Sequence, residues 1–243
     1  FGLTSPPTLD AQVTFERLLN ADQEPENWLT YSGNNSGQRF SRLTEVNKDN
    51  VADLEVQWVW QARSLEKFET TALVVDGILY TIQAPNDVVA LDAATGRPLW
   101  IYPYQNAPEG SNCCGRVNRG LATHNDTLFM GTPDAFLAAI DAKTGEEIWK
   151  TEVASAAENY AITHAPLVIK NMVLVGTAGG DRGIRGLLAA YDVNTGEEVW
   201  RFYTIPGPGE PGNETWSGDS WMTGGAAIWN TGAYDPETNL TFW

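Results

Sequence analysis

Apolar residues in this chain fall mostly into short alternating runs rather than long helical stripes. Residues 1–12 are Pro-rich and polar and are expected on the surface. Val13 to Ala21 is the exception to the alternation. Its apolar residues recur at helical spacing and predict one short helix. Trp28 to Gly33 predicts a strand running into a turn, and Asn47 is placed to cap a short helix through Leu54. Glu55 to Trp60 alternates with period two and predicts a strand. Further strand pairs are predicted over Ala72 to Thr81, Leu121 to Gly131 and Leu167 to Gly176.

Three of the intervening segments repeat. Ala90 to Trp100, Ala139 to Trp149 and Ala190 to Trp200 share the pattern Asp-x-x-Thr-Gly-x-x-x-Trp. Ala233 to Trp243 reads as a worn fourth copy, with Asn239 where the others have Gly. In each copy a strand ends in Asp, and the Asp-x-x-Thr-Gly segment makes a tight turn. The Gly is free to take positive φ. A second strand then places Trp on a buried face. Trp100, Trp149, Trp200 and Trp243 lie 43 to 51 residues apart. Four strands in roughly every 45–50 residues make a β-propeller blade. The expectation is an all-β chain of four-stranded blades in a single partial propeller domain over 1–243. Residues 1–54 form an N-terminal extension with short helices and the first strand, and residues 55–243 form the blades.

Composition narrows the function classes. A 42% apolar content allows a real core, and the net charge of −16 argues against nucleic acid and anionic membrane surfaces as partners. It fits a secreted or periplasmic protein, or a docking surface for a basic partner. No apolar run approaches the roughly 18–20 residues of a membrane span. The chain starts at Phe1 and stops at Phe242-Trp243, inside an apolar strand pattern. Both ends are expected to be cuts, with a processed N-terminus and a missing C-terminal portion. The two cysteines, Cys113 and Cys114, are adjacent. They can be two free thiols or a strained disulfide ring that closes almost no loop and so staples nothing.

The Asp-x-x-Thr-Gly-x-x-x-Trp repeat, together with Cys113-Cys114 and the following Val117-Asn118-Arg119-Gly120, resembles the quinoprotein alcohol dehydrogenases. These are eight-bladed periplasmic propellers that use pyrroloquinoline quinone (PQQ). The likeness runs from about Phe15 to Trp243, which makes the chain about half of such a ring. The resemblance implies a Cys113–Cys114 disulfide over one face of the quinone and Trp229 under the other. It implies that Glu69, Arg119 and Thr163 bind the cofactor and that Ala178, Gly179 and Gly180 let backbone approach its edge. Asp181 then matches the metal-binding carboxylate, where many members have Glu. Ala178 stands where some have Ser, and Ala227 where some have Thr, each costing a hydrogen bond to the cofactor. His164 is read as structural.

The implied activity is oxidation of a primary alcohol to an aldehyde, with Ca²⁺ or a lanthanide ion as Lewis acid and a cytochrome c as electron acceptor. The family's catalytic Asp, a second metal ligand and an Arg at the quinone all follow the region matching Trp243. No catalytic residue is therefore expected within this chain. A disulfide fits the oxidising periplasm. A homo-oligomer stays open. The competing expectation is a non-catalytic periplasmic propeller that binds proteins, built on the same repeat. A membrane-type quinoprotein sugar dehydrogenase ranks lower, because those lack the adjacent cysteines.

Overall fold

The computed structural model describes residues 12–84, 86–105, 115 and 117–243. Nearly all of the expected surface stretch 1–12 and both cysteines lie outside these residues. Three antiparallel four-stranded sheets follow one another along the chain, each with its strands in sequence order. The first holds β1 (Leu73–Val75), β2 (Ile78–Gln83), β3 (Asp87–Asp92) and β4 (Pro98–Tyr102). The second holds β5 (Ala122–His124), β6 (Thr127–Gly131), β7 (Phe136–Asp141) and β8 (Glu147–Glu152). The third holds β9 (Leu167–Ile169), β10 (Met172–Gly176), β11 (Leu187–Asp192) and β12 (Glu198–Tyr203). A hairpin of β13 (Ala233–Asp235) and β14 (Leu240–Phe242) ends the chain.

The middle strands of each sheet are buried on both faces. Val88, Val89, Ala90 and Leu91 of β3 are buried, as are Leu137 to Ile140 of β7 and Leu187 to Tyr191 of β11. One cluster, including Leu73, Phe129, Leu137, Ile140, Val173 and Tyr191, runs through all three sheets. The pairing of third with fourth strand shifts register at the same place in every blade, at Ala90/Leu91, Ala139/Ile140 and Ala190/Tyr191.

The repeated turn works as its sequence suggests. Oδ1 of Asp92 accepts from the Ala94 and Thr95 amides, and Oδ1 of Asp141 and of Asp192 does the same one blade and two blades on. The turn glycines Gly96, Gly145 and Gly196 have φ of +70°, +76° and +69°. Each also carries an indole from the preceding blade. A Cβ on Gly145 would stand 2.6 Å from the Trp100 ring, and one on Gly196 2.6 Å from Trp149. Trp100 Nε1 donates to the Ala142 carbonyl at 3.1 Å, and Trp149 Nε1 to that of Val193 at 3.2 Å.

The same dock reveals one more member. Trp58 lies on Gly96 and its Nε1 donates to the Ala93 carbonyl at 3.1 Å. Glu55 to Trp60 therefore occupies the place of a fourth strand in a preceding blade. The predicted strand itself does not form, because no described strand pairs with it, and Val56 and Val59 stay exposed.

The fourth repeat copy is also corrected. Ile162, five residues before β9, fills the space above Gly131 at the end of β6. Ile228, five residues before β13, fills the space above Gly176 at the end of β10. The correspondence makes β13 a first strand, so β13 and β14 open a new blade rather than close one. Trp243 accordingly does not dock on a turn glycine. It meets His164 edge to face, with ring centroids 5.8 Å apart.

The N-terminal extension packs on the first two blades. The predicted helix forms as α1 (Phe15–Leu19), capped by Thr14, whose hydroxyl accepts from the Arg17 amide. Arg17 bridges Glu24 and Asp76 at 2.6 and 2.7 Å, tying the extension to the β1–β2 turn. The strand expected from Trp28 reduces to a single bridge to Val74 before the chain turns. The helix expected after Asn47 is one 3₁₀ turn, Val51–Asp53, preceded by Asn50.

Substituting Gly145→Val should destabilise the protein by about 2–4 kcal/mol, combining strain at positive φ with an indole that must move. A denaturant midpoint shift checks this, and a shift below about 0.5 kcal/mol would contradict the docking role.

Candidate functional site

Five separate stretches converge on a single cavity. Its volume is about 370 Å³, and its wall includes Glu69, Arg119, Thr163, Asp181 and Trp229. The remaining wall is Val117, Ala178, Gly179, Gly180, Arg182 and Ala227. Every described residue that the sequence pattern assigned to a cofactor or metal is in this list. Cys113 and Cys114 lie outside the described residues. Val117 stands in the motif that carries the family likeness but was given no role, and Arg182 was not singled out. Nothing in their residue types marked them, since one is a small apolar side chain and the other a loop arginine.

Interstrand bridges place these residues. Thr71 pairs with Gly120, and Ala161 with Ala178. The Thr71 amide donates to the Arg119 carbonyl at 2.9 Å, and the Arg119 amide donates to the Thr163 carbonyl at 3.1 Å. Asn118 anchors the stretch from beneath. It is buried, its Nδ2 donates to Asn86 Oδ1 and the Gly131 carbonyl, and its Oδ1 accepts from the Gly120 amide.

Arg119 is the centre of charge. Its guanidinium reaches Glu69 at 3.1 Å and donates a second bond to the Thr163 carbonyl at 3.1 Å. It also lies over the Trp229 ring, 5.0 Å from the centroid. Held on several sides, this fork is preorganised, so little rotamer entropy remains to be lost on binding an anion. Trp229 keeps 48% of its surface exposed, an open flat apolar platform.

The opposite wall is built without bulk. Gly179 has φ of +119°, and a Cβ there would strike the Asn159 carbonyl oxygen at 2.2 Å. A Cβ on Gly180 would stand 3.1 Å from that of Ala227. Asp181 follows in an exposed 3₁₀ turn, Gly180–Arg182. Among the described residues no cluster of three or more His, Cys, Asp or Glu could hold a metal, so Asp181 would supply one ligand of a set. The whole arrangement suits a flat, conjugated, anionic ligand stacked on Trp229 with its charge toward Arg119.

The beta-propeller domain family described as PQQ, glucose/ethanol/alcohol dehydrogenase, matches residues 28–243. The chain belongs to this family. Within the PQQ dehydrogenase family, it is 38% identical to quinohemoprotein alcohol dehydrogenase ADH IIB of Pseudomonas putida, over 96% of this chain and 36% of that protein. It is also 38% identical to the lanthanide-dependent methanol dehydrogenase of Methylacidiphilum fumariolicum strain SolV, over 100% of this chain and 43% of that protein. A europium-containing methanol dehydrogenase structure superposes with a TM-score of 0.87 at 36% identity, covering 93% of this chain and 43% of that one. The chain thus spans well under half the length of these relatives. Its blades belong to the beta-propeller domain of that family.

Directly after Thr163, His164 is fully buried, and burial lowers its pKa to about 4. An unfolded histidine takes its proton near 6.5. Between these values the unfolded chain binds more protons, so this residue's contribution to stability is lost as pH falls from about 6.5 to about 4. Relative to His164→Gln, the wild type should lose about 2 kcal/mol more stability between pH 7 and pH 5. Parallel pH dependences of the two denaturant midpoints would contradict a neutral buried imidazole.

Proposed function

We propose that this chain contributes part of the PQQ and metal site of a periplasmic dehydrogenase that oxidises a primary alcohol to an aldehyde. The observation that carries the proposal is the convergence of Arg119, Thr163, Trp229 and the bulk-free Ala178–Gly180 wall on one cavity, with Asp181 at its edge. The residues fit the cofactor chemically. PQQ is flat and carries three carboxylates, which suits an open indole face beside a preorganised guanidinium. When bound, PQQ supplies a quinone carbonyl that accepts the two electrons of the alcohol.

This chain's residues bind and orient. Trp229 offers one stacking face. Arg119 holds a carboxylate while Glu69 balances its charge, and the buried Thr163 provides a hydroxyl at the rim. Gly179 and Gly180 let backbone reach the edge of the ring system. Asp181 offers oxygen to a hard cation, which fits Ca²⁺ or a lanthanide ion. A lanthanide-dependent relative supports that choice. The family likeness implies a proton-abstracting base in the region that follows the match to Trp243, and Glu69 is held by Arg119. The family likeness implies a Cys113–Cys114 disulfide at the cofactor, and both residues lie outside the described ones. The acidic chain suits a basic cytochrome c as electron acceptor. Among the described residues no helix is long and apolar enough to cross a membrane. A purely protein-binding scaffold has no use for a charged fork beside an open indole, which weighs against that alternative.

In the purified protein supplied with Ca²⁺, Arg119→Ala should weaken PQQ binding about 10- to 100-fold, the loss of a charge-assisted hydrogen bond. Asp181→Ala should abolish the dependence of PQQ binding on the added metal. Equilibrium titration followed by tryptophan fluorescence reads both. Wild-type affinity in the two variants would overturn this placement of the site.

A further inference from the structure

The buried imidazole next to Thr163 connects three walls of the cavity. The Gly176 amide donates to His164 Nε2 at 3.0 Å, which requires that nitrogen to be unprotonated. Nδ1 then carries the proton and donates to the Ala165 carbonyl at 2.8 Å. Nε2 also lies 3.3 Å from the Gly176 carbonyl, a longer contact that only the other tautomer could use. The Ala165 carbonyl takes a second bond at 2.8 Å from the hydroxyl of Thr231, two residues beyond Trp229. One residue before the ring, the Thr163 carbonyl accepts from both the amide and the side chain of Arg119. Gly176 opens the segment that leads through Ala178 to Asp181. The Trp243 indole meets the ring in a T-shaped pair, with centroids 5.8 Å apart.

We propose that His164 is a positioning residue that fixes the spacing between Arg119, the Gly176–Asp181 segment and Trp229, and thereby sets cofactor affinity. The proposal rests on the PQQ reading above for its functional consequence, but not for its geometry. The ring touches no cavity space itself and acts through its neighbours. An apolar ring of similar size would keep the contact with Trp243 and strand a buried Gly176 amide. A glutamine can place Oε1 near the Nε2 position and keep that acceptor. Asparagine reaches only the Nδ1 position.

The test compares wild type, His164→Gln, His164→Asn and His164→Phe by PQQ titration in the presence of Ca²⁺, with thermal unfolding of each. The wild type should bind. His164→Phe should lose about tenfold or more in affinity, while His164→Gln stays within about threefold of wild type. Equal affinities for wild type and His164→Phe would overturn the proposal. If His164→Phe does not fold, the Gln and Asn variants decide, because equal binding by these two would also overturn it. If wild type binds no PQQ, the cofactor reading fails instead, and hydrogen exchange at the Gly176 amide takes over as the readout. Faster exchange in His164→Phe or His164→Asn than in His164→Gln would support the positioning role, and equal exchange would end it.

Discussion

Three indoles, each at the place of a fourth strand, land on the turn glycine of the next blade, and each N–H closes on a carbonyl in that same turn. Trp58 on Gly96, Trp100 on Gly145 and Trp149 on Gly196 are one contact made three times. The contact couples backbone conformation to packing. Positive φ and the absence of a side chain are both needed at the glycine, because the ring takes the space a Cβ would fill. It also fixes how one sheet is rotated against its neighbour. The loops at the ends of the blades inherit their relative positions from that rotation.

The candidate site depends on those positions because no single blade contains it. Arg119 precedes the second blade, Thr163 precedes the third, Asp181 lies within the third and Trp229 precedes the closing hairpin. Backbone bridges from Thr71 to Gly120 and from Ala161 to Ala178 bind the loops to one another. The buried side chains Asn118 and His164 then satisfy amides and carbonyls that the irregular backbone leaves over. Loops carry the chemistry here, and a stiff stack of sheets holds them. Arg119 shows the consequence: its fork is held by Glu69, by the Thr163 carbonyl and over the Trp229 ring before any ligand arrives.

Much of this was legible because the repeat encodes its own geometry. Asp and Gly at fixed offsets specify the turn, and Trp four residues later marks the strand that returns. The residues expected at the cofactor, from Glu69 to Trp229, were found through the family pattern. They line one cavity, while the two cysteines lie outside the described residues. What local pattern could not supply was pairing. Glu55 to Trp60 alternates as a strand does, yet a strand needs a ladder partner, and only the dock of Trp58 reveals its place. Ala233 to Trp243 mimics the repeat in Asp, Thr and Trp, but the spacing of a third-to-fourth-strand turn resembles that of an opening hairpin. The distinction came from Ile228 over Gly176, a contact between residues 52 apart in sequence. The bonds of His164 were hidden for a similar reason, since they depend on which ring nitrogen carries the proton.

The most direct measurement is a structure of the protein after uptake of PQQ. The expected result is planar density stacked on the Trp229 indole, with a carboxylate within hydrogen-bond reach of Arg119 and the ring edge against Gly179 and Gly180. PQQ bound away from Trp229, or an empty cavity in a protein that has taken up PQQ stoichiometrically, would contradict it.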